Sequence, residues 1–160
     1  MKGIKVEMNN FYQELNQVIE YIENHLLDEI DKSEMTKRVG LNWHDLNVIF
    51  LCLTGISILD YIKNRRLTLS ITDILKGDSL THISYKYLYN SPSTYNRAFK
   101  KYQGFTPRDV KKQEKNLKLF PKIVFEEQNK FHEMEYKIYK GKELNLFGVA
   151  KKINFENRRE

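Results

Sequence analysis

Apolar residues recur every three or four positions through much of the chain, which is the spacing of one face of an α-helix. The first such set begins after Asn10 and consists of apolar side chains on a single helical stripe: Phe11, Leu15, Val18, Ile19, Ile22 and Leu26. This pattern predicts an amphipathic first helix that packs one side against a core.

Residues that start and stop helices frame the next two segments. Asp31 is placed to cap a short second helix, and Gly40 suits its left-handed exit. Asn42 repeats the cap signal with Asp45 three residues later, and Gly55 marks the end of a third helix. The side of the third helix predicted to be buried is apolar: Leu46, Ile49, Phe50 and Leu53. The unit is therefore a helix, a tight turn and a second helix.

The same arrangement recurs after a longer fourth helix. Ser57 can cap that helix and Gly77 stops it, which gives about 19 residues and a length of roughly 28 Å. A short helix over residues 79–87 follows, and Pro92 suits the first turn of another. In this last helix the side chains predicted to face the core are three aromatic residues and one alanine: Tyr95, Ala98, Phe99 and Tyr102. A different, polar face carries Ser93, Thr94, Arg97 and Lys101.

The pattern changes after Pro121. Met134, Tyr136 and Ile138 alternate with charged residues, and a second apolar stretch follows a Lys-Gly turn, so a two-stranded hairpin is predicted. The fold class is therefore mainly α, with two helix-turn-helix subdomains, a linker helix and a small C-terminal β-hairpin. The predicted boundaries are 10–112, a linker over 113–132, and a β segment over 133–160 that must pack on the helices or pair with another chain.

Composition and charge narrow the class of protein. The chain has 160 residues, 41% of them hydrophobic, and a formal net charge of +6. Residues 1–76 carry 9 basic and 11 acidic side chains, whereas residues 77–119 carry 9 and 3. This basic middle fits a surface that faces a polyanion, although a solvated basic face has the same composition. No apolar run of about 18 residues occurs, so neither a membrane span nor export is predicted, and a cytoplasmic location is expected.

The sequence offers little support for catalysis. The four histidines are scattered without metal-ligand spacing, and neither a nucleophile motif nor a glycine-rich phosphate loop occurs. The single Cys52 lies in the apolar run VIFLCL and is predicted to be a small buried hydrophobe. We therefore expect no enzyme activity, no cofactor and no metal site.

Two stretches of sequence resemble the DNA-binding domain of the AraC/XylS family of bacterial transcription regulators. The segment ISYKYLYNSPSTYNRAFKKYQGFTP is similar to the family's signature at Ile83, Ser93, Arg97, Phe99, Lys100, Gly104, Thr106 and Pro107. LNWHDLNVIFLCLTGISILDYI, followed by RRL, is similar to the first helix-turn-helix at Leu46, Phe50, Gly55, Tyr61, Arg66 and Leu67. The likeness covers residues 12–112. The tail FHEMEYKIYKGKELNLFGVAKKIN is similar to the opening strands of a GyrI-like effector-binding domain, and because a full domain of that kind needs more residues, we expect a truncated segment without a closed effector pocket.

The resemblance implies a duplex DNA ligand at a promoter or operator, contacted by two recognition helices in successive major grooves. The candidate DNA contacts are His44, Asn47, Val48, Ser93, Thr94, Arg97, Lys100, Lys101, Arg108 and Lys111. Arg97 is expected to bond guanine in a bidentate manner, and the alternative for it is an ion pair within the fold. RNA polymerase and a second copy, bound through the C-terminal strands, are further candidate partners.

Two departures from the family pattern matter. Leu88 stands where the second turn usually has glycine, and a left-handed leucine costs roughly 1 kcal/mol or more, so this turn is strained or rerouted. The acidic first half also places Asp45 beside the first recognition surface, where a carboxylate would repel phosphates unless it is used in capping. The second unit is thus expected to supply most of the affinity. The rival hypothesis is a protein-interaction module that pairs with another regulator or with itself.

Overall fold

The computed structural model describes residues 2–126, with side chains from residue 10 onward. This part of the chain is mainly helical, as predicted, and its α-helices are α1 (Lys2–Asn24), α2 (Lys32–Val39), α3 (Trp43–Thr54), α4 (Ile58–Lys76), α5 (Leu80–Lys86) and α6 (Pro92–Gln103). Two 3-10 turns, Pro107–Lys112 and Glu114–Asn116, follow α6. The predicted hairpin, the segment 133–160 and its likeness to an effector-binding domain lie outside the described residues and stay predictions.

The caps predicted at Asp31, Asn42 and Ser57 are confirmed, and caps of the same kind explain where five of the helices begin. A side chain at Asp31, Asn42, Ser57, Ser79 or Ser91 accepts a hydrogen bond from a backbone N–H in the first turn of its helix. Each cap satisfies a donor that has no partner within the helix. Helix α1 begins at Lys2, eight residues before the predicted boundary at Asn10.

The first core joins α1, α2, α3 and the first half of α4. Its fully buried side chains include Leu15, Ile22, Met35, Leu46 and Phe50. Ile58, Tyr61 and Ile62 of α4 complete this core. Because α2 and α3 are separated only by a turn at Gly40, which has φ +64°, they form the first helix-turn-helix unit.

The second core is built on the other half of α4. Leu67, Ile71 and Ile74 of α4 pack with buried residues of α5, α6 and the first 3-10 turn: Ile83, Tyr87, Tyr95, Phe99 and Val110. Helix α4 therefore belongs to both cores and connects the two helix-turn-helix units as one continuous helix of 19 residues. The predicted linker helix is confirmed in its bounds and length.

An extended segment, residues 117–126, runs back along the helices and is called the C-terminal strap below. Its backbone is bonded to side chains of both cores, through Gln103, Thr68 and Asn16. Phe120, Ile123 and Phe125 pack against the first core. The predicted linker 113–132 thus starts with residues that are fixed to the helices.

Two side chains predicted to be buried are instead exposed. Cys52 lies on the outer side of α3, and Leu53 retains 47% of its surface. The run VIFLCL is apolar on every side, so its pattern does not show which residues face the core; Leu46 and Phe50 alone are fully buried in α3.

No single helix of residues 2–126 has both the length and the apolar composition of a membrane span. Helices α3 and α4 have that length and composition only when they are taken together, and this pair is bent by 62°.

Candidate functional site

The exposed face of α6 carries the predicted polar residues. Tyr95 and Phe99 are fully buried, so Arg97, midway between them along the chain, lies on the opposite side of the helix. Ser93, Thr94, Lys100 and Lys101 are exposed with it. Ser91 and Pro92 start the helix at its first turn, and Gly104 in the left-handed conformation ends it, so the whole face is presented on three regular turns.

A shallow groove brings part of this face together. Its walls are Ser93, Asn96, Arg97, Lys100 and Thr106. Asn96 and Thr106 were missed in the sequence. Asn96 lies three residues after Ser93 and four before Lys100, so helical spacing could have identified it. Thr106 enters the groove because the chain turns back after Gly104, which no periodicity in the sequence predicts.

Arg97 has no acidic partner among residues 10–126. Ion pairing in this part of the chain is elsewhere, for example between Lys86 and Asp73 at 2.7 Å. Asp73 is buried, and although burial disfavours its charge, hydrogen bonds from Lys86 and Tyr87 hold the pKa of this carboxyl below its usual value. The Asp73 carboxylate is therefore neutralised inside the second unit and leaves α6 cationic.

Thr94 and the distal cations have additional local roles. Thr94 Oγ1 lies 3.0 Å from Ser91 Oγ, within the capping arrangement at the start of α6. Lys100 and Lys101 occupy the last turn, where a positive charge also favours the helix dipole. Arg108 and Lys111 are exposed on the 3-10 turn that follows α6.

The first unit presents a different surface. His44 and Val48 are exposed on α3, as predicted. Asn47 is half-buried, and its Oδ1 accepts a hydrogen bond of 3.1 Å from Ile58 N at the start of α4. An asparagine that pairs with adenine in a major groove uses that oxygen as well as the amide nitrogen. Asn47 thus fixes α3 against α4 in this structure, a role that only the folded arrangement reveals.

Asp45 is engaged in the cap of α3, which was one of the two alternatives for this residue. Its Oδ2 accepts a hydrogen bond of 2.7 Å from Asn42 Nδ2, while Asn42 Oδ1 accepts one from Asp45 N. The carboxylate remains exposed and adds negative charge to the first turn. It supports the helix rather than contributing to an anion-binding surface.

The turn between α5 and α6 is strained, which was one of the two expected outcomes. Leu88 has φ +61°, the left-handed region that favours glycine. The turn nevertheless keeps the hydrogen bonds of a helix end, from Leu88 N to Tyr85 O at 3.0 Å and from Tyr89 N to Ser84 O at 2.9 Å. The turn before α6 therefore keeps its usual hydrogen bonds despite the strain at Leu88.

Comparisons with known proteins agree with this architecture. The family described as "Helix-turn-helix domain" matches residues 35–113. The multiple antibiotic resistance protein MarA of Salmonella typhimurium is 28% identical over 96 residues, which cover 58% of this chain and 74% of MarA. YkgA of Escherichia coli K12, named provisionally as an HTH-type transcriptional regulator, is 25% identical over 145 residues. That alignment covers 89% of this chain, which spans only 59% of YkgA.

A solved structure has the same fold. It is a transcriptional regulator from Chromobacterium violaceum, described by its AraC-type DNA-binding domain, and it superposes with a TM-score of 0.58 at 17% identity. The superposition covers 63% of this chain and 91% of that one. The family match over residues 35–113 agrees with the structure, in which α4 joins two helix-turn-helix cores. Residues 35–113 of this chain therefore match the helix-turn-helix domain family, and the described residues share the fold of that solved structure.

Proposed function

We propose that this chain controls transcription by binding an asymmetric duplex site, with α6 in one major groove and α3 in the next. A major groove accepts an α-helix, and the shared α4 of about 28 Å approaches the helical repeat of roughly 34 Å. One copy would then occupy two successive grooves. The relative YkgA bears the name of an HTH-type transcriptional regulator, and the Chromobacterium violaceum structure is described by its AraC-type DNA-binding domain, which supports this proposal.

The observation that carries the proposal is the position of Arg97. Its guanidinium projects from the side of α6 opposite the core, in a groove with Ser93 and Lys100, and no acid of residues 10–126 pairs with it. A guanidinium so placed can donate two hydrogen bonds to O6 and N7 of one guanine. Lys100, Lys101, Arg108 and Lys111 would then neutralise phosphates, which position the helix without specifying sequence.

The experiment starts from the preferred duplex, obtained by selection from a random library with the full chain. Affinity for that duplex is then measured by fluorescence anisotropy for wild type and Arg97→Ala. We expect Arg97→Ala to lose about 1–3 kcal/mol and to bind with less preference at one guanine. Lys76→Ala is the charge control, because it removes one positive charge at the exposed end of α4, where Lys76 Nζ lies 4.0 Å from Asp73 Oδ1.

A modified base tests the contact itself. In 7-deazaguanine the N7 acceptor is replaced by carbon, so wild type should bind the substituted site more weakly while Arg97→Ala should not respond. An equal response of both proteins would refute the contact. Failure of the library to yield any preferred duplex would refute sequence-specific binding as a whole.

Transcriptional control also requires an effect on RNA polymerase, and self-association would act through residues 133–160. Both belong to the same hypothesis. Transcription from the selected site in a purified system measures the first, and the mass of the chain on and off DNA measures the second.

A further inference from the structure

The outer face of α3 is largely apolar beyond its first turn, which carries His44 and Asp45. Leu46 and Phe50 point into the first core, and the side chains on the opposite side of the helix are His44, Val48, Leu51 and Cys52, all exposed. Val48 and Leu51 keep 42% and 44% of their surface. Helix α3 contains no lysine or arginine, whereas α6 contains three such residues.

An apolar side chain has few partners in a major groove. Among the base edges exposed there, only thymine offers an apolar group, its C5 methyl, while the other bases present hydrogen-bonding atoms. Placing a valine or leucine against those atoms would remove them from water without a partner, which is unfavourable. An apolar recognition face therefore discriminates in favour of thymine.

The spacing along α3 suits neighbouring base pairs. Val48 and Leu51 are separated by three residues, which corresponds to a rise of about 4.5 Å, and stacked bases on a strand are about 3.4 Å apart. The bond from Ile58 N to Asn47 Oδ1 fixes the rotation of α3 against α4. Asn47 is thus a positioning residue that keeps Val48 directed outward.

We propose that α3 recognises thymine methyl groups through Val48 and Leu51, so that the binding site consists of a thymine-specified half and a guanine-specified half. This inference rests on the proposed function, since it assumes that α3 enters a major groove. It adds a base preference for the first unit and assigns Leu51 as a further specificity residue.

The test replaces thymine by deoxyuridine, which removes only the methyl group. Sensitivity to 7-deazaguanine first identifies the half-site of α6, and deoxyuridine is then placed in each half separately. We expect affinity of the full chain to fall about fourfold for each contacted methyl in the α3 half. The same replacement in the α6 half should leave affinity unchanged.

Two variants connect the effect to α3. Val48→Ala and Leu51→Ala should each bind thymine and deoxyuridine sites with more similar affinity than wild type does. Leu75→Ala, which shortens a comparably exposed leucine on α4, should keep the full difference. Both α3 side chains are partly exposed, and a melting curve for each variant checks that the fold is retained.

The outcomes distinguish a failure of the thymine contact from a failure of the proposed DNA-binding function. Selective DNA binding with no deoxyuridine effect in either half would overturn the thymine contact and leave the proposed function intact. A change in oligomer mass in Val48→Ala, with DNA affinity unaltered, would show that the face binds another protein chain and would also overturn it. Absence of selective DNA binding would overturn the proposed function on which the inference depends.

Discussion

Arg65 and Glu23 form a bidentate ion pair that joins α4 to α1. Arg65 Nε donates to Glu23 Oε1 at 2.9 Å, and Nη2 donates to Oε2 at 2.7 Å. The Tyr61 hydroxyl donates to the same carboxylate at 2.7 Å, and Arg65 Nη1 bonds Phe120 O of the C-terminal strap. This network links the linker helix, the first helix and the strap at one point.

Replacing Glu23 should reduce stability and change its pH dependence. Burial disfavours the charged carboxylate, but bonds from Arg65 and Tyr61 outweigh that effect and lower the pKa of Glu23 below 4.5. A lowered pKa means that the stabilisation is present above pH 4.5 and is lost as the pH falls through the folded value. Glu23→Gln should cost about 2 kcal/mol at pH 7, because Arg65 loses its charged partner and a neutral amide accepts only one of the two hydrogen bonds.

Urea denaturation at pH 7 and pH 3.5 measures both effects. The loss of stability on acidification should be smaller in Glu23→Gln than in wild type. Glu34→Gln is the control, because its partner Lys37 is mostly exposed and the pair is worth little. An equal pH dependence of Glu23→Gln and wild type would contradict the assignment.

The salt dependence of DNA binding should report the phosphate contacts. With about six contacts, the logarithm of the affinity should fall against the logarithm of salt concentration with a slope near −5. Lys101→Ala should lower the magnitude of that slope by about 1, whereas Lys76→Ala should leave it unchanged. Anisotropy titrations at four salt concentrations suffice, and a flat response in wild type would exclude the phosphate contacts.

Two tyrosines of the second core should respond oppositely to loss of the hydroxyl. The Tyr89 hydroxyl is buried without a partner in the described structure, and burial raises its pKa to about 12. The Tyr95 hydroxyl lies 2.8 Å from Ser70 Oγ, which itself donates to Leu67 O. Tyr95 is therefore the donor of that bond.

We expect Tyr89→Phe to be neutral or to stabilise the protein by up to about 1 kcal/mol, because an unpaired buried hydroxyl is removed. Tyr95→Phe should cost about 0.5–1.5 kcal/mol. Both rings are kept, including their edge-to-face contact at 5.3 Å. Thermal melting of the two variants compares them, and a loss of stability in Tyr89→Phe would indicate a partner for its hydroxyl.

Because the backbone at Leu88 is strained, replacing this residue by glycine should stabilise the protein. Leu88→Gly relieves a left-handed leucine and should raise the melting temperature, since that strain of roughly 1–2 kcal/mol exceeds the entropy cost of glycine. Gly104→Ala is the reciprocal variant. No atom lies within 4 Å of the added Cβ, so its cost should be purely conformational. Equal signs for the two changes would contradict this account.

Local sequence determined the helices of this protein and the order in which they occur. Caps at Asp31, Asn42 and Ser57 and stops at Gly55 and Gly77 act through bonds to near neighbours, so their effect is visible without the fold. The buried side of α6 was also predictable, because its polar and aromatic residues alternate with helical period. Arg97 was thereby placed outside the core from sequence alone.

Tertiary structure decided what depends on contacts between distant residues. The apolar run VIFLCL of α3 has no period that selects a core side, so only packing against α2 and α4 buries Phe50 and leaves Cys52 outside. Asn47 bonds Ile58 across a turn, and the strap returns to Asn16 over 109 residues of chain. A single sequence records the residues of such contacts but not their proximity, which arises when the two cores close around α4.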